Sequence, residues 1–336
     1  MKTQSDVSVP ELNEASLPCL EDVILEDTEF MALDIPERRA ILHPWLKEQQ
    51  IGLITGARGV GKSGFALGVV NAITRGDPFG PWKPEAHVNC LYVDAEMVCQ
   101  DVIGRLTSQG AIHRKAKFFI YSDAYAYSKG LRKANALDQE WRESMKDICL
   151  KLEVKVLVLD NIASLTPGID ENSKEEWDVV NQWLLRLRFA GVSVLLLHHE
   201  NKNGGQRGTS AREDNLDISI SLKRPLKYRP TDGARFIVNF TKTRIPTKEL
   251  PLIVDTEFQL VDKPGDVMEW KWKHKRKQNK SEIMKLLDEG MAAKDIADSM
   301  GISSSRISQV KAEAIKERLL TKDRKLTQAG LLFTGG

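Results

Sequence analysis

The run Gly56-Ala57-Arg58-Gly59-Val60-Gly61-Lys62-Ser63 fits the pattern G-x-x-x-x-G-K-[ST], and no other stretch constrains the fold as strongly. An apolar run, Ile51–Thr55, leads into it, and a helix-like segment from Gly64 to Ile73 leads out. Strand, loop and helix in that order are what the pattern needs. Glycines let the backbone wrap closely, so that successive N–H groups aim at one anion. The helix N-terminus adds its partial positive charge. Gly56 through Gly64 are thus the expected phosphate cradle of a nucleoside triphosphate, with Lys62 against the β- and γ-phosphates and the Ser63 hydroxyl on Mg²⁺.

The chain around this loop has the composition of an ordinary globular protein. Its 336 residues allow two domains, or one large domain with appendages. Hydrophobic residues make up 41% and charged residues 29%, a usual balance for a protein that folds in water. No apolar run approaches the ~20 residues that cross a bilayer, which argues against a membrane protein. The polar, acidic first residues are those of neither a signal nor a transit peptide. Cys19, Cys90, Cys99 and Cys149 form no C-x-x-C pair. They read as reduced thiols of a cytoplasmic protein.

The net charge of +2 is unevenly spread. Residues 1–35 carry Asp6, Glu11, Glu14, Glu21, Asp22, Glu26, Asp27, Glu29 and Asp34 against one base, Lys2. That composition predicts a flexible acidic arm, either a plain solvated tail or one with a short element near Leu20–Leu25 that docks on a neighbour. Residues 36–265 alternate strands (Asn89–Val93, Phe118–Tyr121, Val154–Leu159, Val192–Leu197) with helical patterns at Val98–Leu106, Leu137–Leu150 and Trp177–Phe189. The last two strands are almost wholly apolar, as strands buried on both faces of a parallel sheet must be. The rhythm predicts a doubly wound α/β domain. From Asp217 only strands follow (Asp217–Leu222, Arg235–Phe240, Glu257–Val261), expected as antiparallel additions at the sheet edge. Residues 266–280 bring Lys271, Lys273, Lys275, Arg276, Lys277 and Lys280 with no acid after Trp270, and are expected to be a basic linker.

Several strand ends carry chemistry. Asp160 closes Leu157-Val-Leu-Asp160, where a carboxylate on a strand beside the P-loop strand would hold the Mg²⁺ water shell. Tyr92-Val-Asp94-Ala-Glu96 places two acids at another strand tip. Either could polarise an attacking water, and the longer Glu96 is favoured as general base. Leu197-His198-His199 ends a further strand, and two adjacent histidines lacking a third ligand make a poor zinc site. His199 fits better as a hydrogen-bonding sensor of the γ-phosphate, although satisfied polar groups at a strand end would look the same. Residues 203–212 form a polar, glycine-rich loop. Lys202 just before it, and Arg207, Ser210 and Arg212 within it, suit a nucleic-acid backbone. Lys242 and Arg244 lie two apart at a late strand end and so point the same way. They could reach a neighbouring copy's γ-phosphate as a trans-acting finger, or simply solvate a basic edge.

Residues 281–336 predict a compact helix-turn-helix. Ser281–Leu287 and Ala293–Met300 are its first helices, Gly301-Ile-Ser is the turn, and Ser304–Arg318 is the recognition helix. Ile296, Ala297, Ile302, Ile307 and Val310 are spaced to close a small core, and Lys322–Thr327 suits a small wing. Arg306, Gln309 and Lys311 fall early on the exposed side, where DNA contacts would arise. Such modules also serve as protein-interaction units.

Together these stretches resemble the RecA-like ATPases of the RepA family, the hexameric replicative helicases of plasmids and other mobile elements. The resemblance covers roughly Pro44 to Val261. It is carried by Gly56–Ser63, Tyr92–Glu96, Val158-Leu-Asp160, Leu197-His-His199 and Gly208-Thr-Ser-Ala-Arg212. It implies a RecA-like P-loop ATPase core, a mostly parallel sheet with antiparallel edge strands, followed by the small C-terminal helix-turn-helix domain. It implies ATP and Mg²⁺ as cofactors, Glu96 as catalytic base, His199 as γ-phosphate sensor and residues 200–212 as the loop facing single-stranded DNA. Lys242 and Arg244 match the K-x-R element that such helicases insert into the neighbouring subunit's site. The expected protein is a homo-oligomeric, hexameric DNA helicase of plasmid, phage or mobile-element replication. It would act on single-stranded and also duplex DNA, with a replication partner on the N-terminal arm or C-terminal domain. The acidic arm and the helix-turn-helix depart from the short plasmid helicases. They keep open an ATP-controlled DNA-binding regulator or a recombinase-like ATPase.

Overall fold

A computed structural model of the chain describes residues 19–108, 113–169, 174–199, 215–225, 228–264, 267–300 and 302–334. They divide into two units at Arg38. In the first unit a 3-10 turn at Glu21–Val23 precedes a short helix, α1 (Asp27–Met31). Glu26 and Glu29 close a capping box over its first turn.

The second unit opens with β1 (Ala40–His43) and β2 (Leu46–Lys47). Strand β3 (Ile51–Gly56) then feeds the P-loop into α2 (Lys62–Arg75). A short β4 (Lys83–Pro84) joins β1 and β2 in a small antiparallel sheet. There follow β5 (Asn89–Asp94), α3 (Cys99–Thr107), β6 (Phe118–Ser122), α4 (Asp123–Ser128) and α5 (Gln139–Lys151). Next come β7 (Val154–Asp160), α6 (Ile162–Leu165), α7 (Lys174–Phe189) and β8 (Ser193–His199). Strands β9 (Ile218–Lys223), β10 (Arg235–Lys242), β11 (Thr256–Lys263) and β12 (Val267–His274) end this part of the chain.

The main sheet has nine strands in the order β12-β11-β10-β9-β3-β8-β7-β5-β6. From β9 to β6 every pairing is parallel, and β10, β11 and β12 run antiparallel at one edge. This is the mostly parallel α/β sheet with antiparallel edge strands expected from the sequence. The period of two along each strand divides its side chains between two faces. Val156, Val158, Leu195 and Leu197 pack with α2 through Phe65 and Val69. Leu157, Leu159, Val194 and Leu196 pack on the other face with Met145 of α5 and Trp183 of α7. Under α2 lies an aromatic cluster in which Phe79 and Phe258 are 5.1 Å apart and Phe65 and Phe236 5.9 Å apart, centroid to centroid. Trp270 of β12 reaches the same cluster. Its ring lies 3.5 Å from where a Cβ on Gly64 would stand, and 3.2 Å from one on Gly68.

Four details differ from the sequence expectation. Strand β9 is an inner strand, hydrogen-bonded in parallel to β3; the long connection after β8 permits the crossover that a parallel pair requires. Asp160 is not on a neighbour of the P-loop strand, because β8 is inserted between β3 and β7. The basic stretch 266–280 is not a linker. Val267–His274 pairs along its length with β11, and the next residue starts a helix. The lysines of β12 alternate with Met268, Trp270 and Trp272, an edge strand's pattern that the charge obscured. Lastly, β10 ends at Lys242, so Arg244 lies beyond it and the two cations do not share a strand.

The chain ends in a helical region. Helix α8 (Lys275–Asp288) continues directly from β12, followed by α9 (Ala293–Met300), α10 (Ser304–Lys316) and α11 (Gln328–Thr334). A single bridge, Leu320 to Leu326, pinches the segment before α11. Ile283, Leu287, Ile296, Ala297, Ile307 and Val310 are buried between these helices, with Ile302 packed against them. No described helix is long and apolar enough to cross a membrane.

Candidate nucleotide site

Gly59 and Gly61 hold φ values of +70° and +114°, where residues with a Cβ are strained. A Cβ on Gly61 would also stand 2.8 Å from the Phe236 ring. The loop they shape curls around Lys62, which is 5% exposed. Its Nζ donates to Gly56 O at 2.9 Å, to Ala57 O at 3.1 Å and to His199 Nδ1 at 2.9 Å.

Parallel register gathers the strand tips in one crevice, as open α/β sheets do. Gly56 is level with His199, and Asp94 with Asp160. Asn161, one residue past β7, connects the two sides. Its Nδ2 donates to Glu96 Oε2 at 2.5 Å and lies 3.2 Å from His199 Nε2. Glu96 Oε2 is 3.8 Å from the same nitrogen. Lys62 is a donor only, so Nδ1 must accept and the ring proton belongs on Nε2. The Asn161 amide hydrogen then belongs to Glu96. Burial, and next the charge of Lys62, lower the pKa of His199 and favour this neutral form. The Nε2–H then faces Glu96 Oε2 directly, so Lys62, His199 and Glu96 follow one another across the crevice while Asn161 holds the Glu96 carboxylate, its side chain 57% exposed at the mouth. A carboxylate so placed can take a proton from a water entering the crevice.

The opposite wall is acidic and buried. The Tyr92 hydroxyl donates to Asp160 Oδ2, and Ser63 acts on the same hydroxyl. Burial, then the Asp160 charge, push the Tyr92 pKa far above its ordinary value. Burial likewise raises Asp94 to about 6, with Asp160 adding to it and the N–H groups of Met97 and Glu96 opposing it. Among the described residues no three His, Cys, Asp or Glu side chains form a metal cage. Mg²⁺ needs no such cage, because it keeps waters and shares phosphate oxygens. Ser63 and Asp160, which line the same crevice, could hold it, and the ion would neutralise charge on the phosphates. The crevice, about 580 Å³, continues to an apolar end at Leu67, Ala234, Leu260 and Met268, room for a nucleotide base beyond its phosphates.

A family model described as an AAA domain matches residues 14–205. The chain belongs to that family. Membership agrees with the cradle and supports ATP hydrolysis as the activity of this AAA domain, with nucleotide and commonly Mg²⁺ as its ligands. Among solved structures, the crystal structure of a KaiC-like protein from the hyperthermophilic archaeon Pyrococcus horikoshii OT3 matches at 15% identity. It covers 70% of this chain and 99% of its own, with a TM-score of 0.46. No curated protein matches.

Of the side chains singled out in the sequence, Lys62, Ser63, Glu96, Asp160 and His199 line the crevice of the AAA domain or its rim. Lys242 and Arg244 do not. Lys242 is level with Ser219 of β9, and Arg244 Nη1 is 3.5 Å from Asp217 Oδ1. Asp217 also pairs with Arg188 and accepts the Ile51 N–H at 3.0 Å. Lys202, Arg207, Ser210 and Arg212 lie outside the described residues. Arg306 and Gln309 share a hydrogen bond of 2.6 Å on α10, and Lys311 is half-buried there. Asn161 and Tyr92 escaped the sequence reading. Asn161 directly follows Asp160, and a polar residue just past a strand-end acid was the available signal. Nothing in the sequence sets the Tyr92 hydroxyl apart from a core tyrosine.

Proposed function

We propose that the protein is a homo-oligomeric, Mg²⁺-dependent ATPase that translocates on DNA. Its sites would lie between copies, as in ring helicases of replicating plasmids, phages or mobile elements. The observation that carries this is the position of Arg244. Because β10 runs antiparallel to β9, Arg244 emerges beside Asp217 and Ile51, at the start of β3 and not at its P-loop end. The five steps from Ile51 to Gly56 span about 17 Å of strand, beyond an arginine's reach. Arg244 is half exposed. A cation so placed is out of reach of its own chain's triphosphate, which supports a role at another copy's site, where it would stabilise transition-state charge. Lys242 would accompany it.

In that assembly Lys62 would grip the β- and γ-phosphates and Glu96 would activate the water, with His199 set between the lysine and the base and Asn161 holding the base's carboxylate. The C-terminal helices support the DNA part of the reading. Ser303 caps α10 by accepting the Arg306 N–H at 3.2 Å, and Gln309 on the same helix is exposed. A capped helix with exposed polar side chains is what a recognition helix would offer DNA, which supports this reading and equally the second one, an ATP-controlled DNA-binding regulator. ATP-driven strand displacement on a forked duplex separates them. Unwinding that Lys62→Ala abolishes supports the helicase. ATP-dependent protection of duplex DNA with no displacement supports the regulator.

A further inference from the structure

Asp94, at the tip of β5, is 1% exposed. Its Oδ1 accepts the N–H of Glu96 at 3.2 Å and of Met97 at 2.8 Å. This turn fixes the backbone that carries Glu96. Its Oδ2 is different: the atom is buried and has no hydrogen-bond partner among the described residues. Arg105 acts on Asp94 through its charge, but no hydrogen bond joins them. A buried carboxylate oxygen left bare is costly, and native structures rarely keep one without a reason.

The surroundings supply one. Asp94 lines the same crevice as Ser63 and Asp160, and it stands directly opposite Asp160 in the parallel register. Two carboxylates side by side repel unless a cation lies near both. Of the two carboxylates, the hydroxyl of Tyr92 donates to Asp160. A divalent ion held by Ser63 and a phosphate keeps several waters, and such waters are the donors that a bare carboxylate oxygen can accept from.

We infer that Asp94 does two jobs at the ATP site. Oδ2 accepts a hydrogen bond from a water of the nucleotide-bound divalent cation, as a second outer partner beside Asp160. Oδ1 holds the turn that aims Glu96, which makes Asp94 a positioning residue for the general base. The inference rests on the Mg²⁺-ATPase reading above and adds a residue to it.

Two substitutions separate the jobs. Asparagine at 94 keeps an oxygen for the two N–H groups but turns a donor toward the cation's waters, whereas alanine removes both functions. Mn²⁺ is the probe, its affinity read by electron paramagnetic resonance in the presence of a non-hydrolysable ATP analogue. Asp94→Asn should weaken Mn²⁺ by about tenfold, as loss of an outer partner does, and leave metal-free nucleotide binding unchanged. Asp94→Ala should weaken Mn²⁺ equally and lower kcat by roughly a further tenfold at similar KM, the scale of a misplaced acid–base group. An Asp94→Asn protein that binds Mn²⁺ as tightly as wild type overturns the metal role. Equal kcat in the two variants overturns the positioning role. The near-isosteric Asp94→Asn decides the metal role even if Asp94→Ala does not fold. Failure of the wild-type protein to bind Mn²⁺ with nucleotide would instead sink the Mg²⁺-ATPase reading itself.

Discussion

Lys62 and His199 meet across the crevice, the lysine Nζ donating to the histidine Nδ1 at 2.9 Å. The pair joins the tips of β3 and β8, adjacent strands in parallel register. It also sets the imidazole between the phosphate-binding lysine and Glu96, whose Oε2 is 3.8 Å from Nε2. Removing the imidazole should therefore affect turnover more than binding. His199→Ala is expected to keep nucleotide affinity within about threefold while kcat falls roughly 10- to 100-fold. Equilibrium binding of a fluorescent ATP analogue beside steady-state ATPase rates checks the split.

The same contact gives a pH dependence. Folded His199 titrates below its ordinary 6.5, first through burial and then through the Lys62 charge. Between that lowered pKa and 6.5 the unfolded chain binds more protons than the folded one. Stability from this group is thus complete above the window and is lost as pH falls through it. The thermal midpoint of wild type should drop more steeply than that of His199→Gln as pH is lowered from 7.5 to 5.5, values that bracket the ordinary histidine range at about 6.5.

Gly61→Ala should abolish nucleotide binding and leave the fold standing. A Cβ at φ +114° is strained and would meet Phe236 at 2.8 Å, so the loop must shift. The shift moves the N–H groups that cradle phosphate. Circular dichroism near wild type together with lost ATP affinity is the expected pair of results.

Gly68→Ala tests the packing beneath the site. In an open helix this change stabilises by about 1 kcal/mol. Here the new Cβ would come within 2.5 Å of Phe79, so the aromatic cluster must give way. A net loss of roughly 1–2 kcal/mol is expected, read by urea unfolding.

Much of the core was legible because its signals are local. Val154–Leu159 and Val192–Leu197 declare buried parallel strands by being apolar throughout, and Gly56–Ser63 declares its own conformation through its glycines. Glu96, Asp160 and His199 were found because each ends such a strand. The crevice wall was not legible. Asn161 matters only because it lies between Glu96 and His199, and Tyr92 only because its hydroxyl reaches Asp160. Pairing order was hidden for the same reason: nothing local tells β9 that it lies beside β3. In β12, the charge of Lys271 and Lys273 masked Met268 and Trp270, which pack toward the crevice and α2. Distance across the fold, not chemistry along the chain, decided those cases.

The central claim is that one copy's Arg244 completes another copy's site. Mixing Lys62→Ala with Arg244→Ala tests it most directly. Each variant alone should hydrolyse almost no ATP. In a mixture, an intact P-loop from the Arg244→Ala copy can meet an intact arginine from the Lys62→Ala copy at roughly a quarter of randomly formed interfaces. ATPase activity should then reappear on mixing, in assemblies that contain both chains. Mixed assemblies that stay as inactive as their components, or an Arg244→Ala protein that turns over normally by itself, would contradict the account.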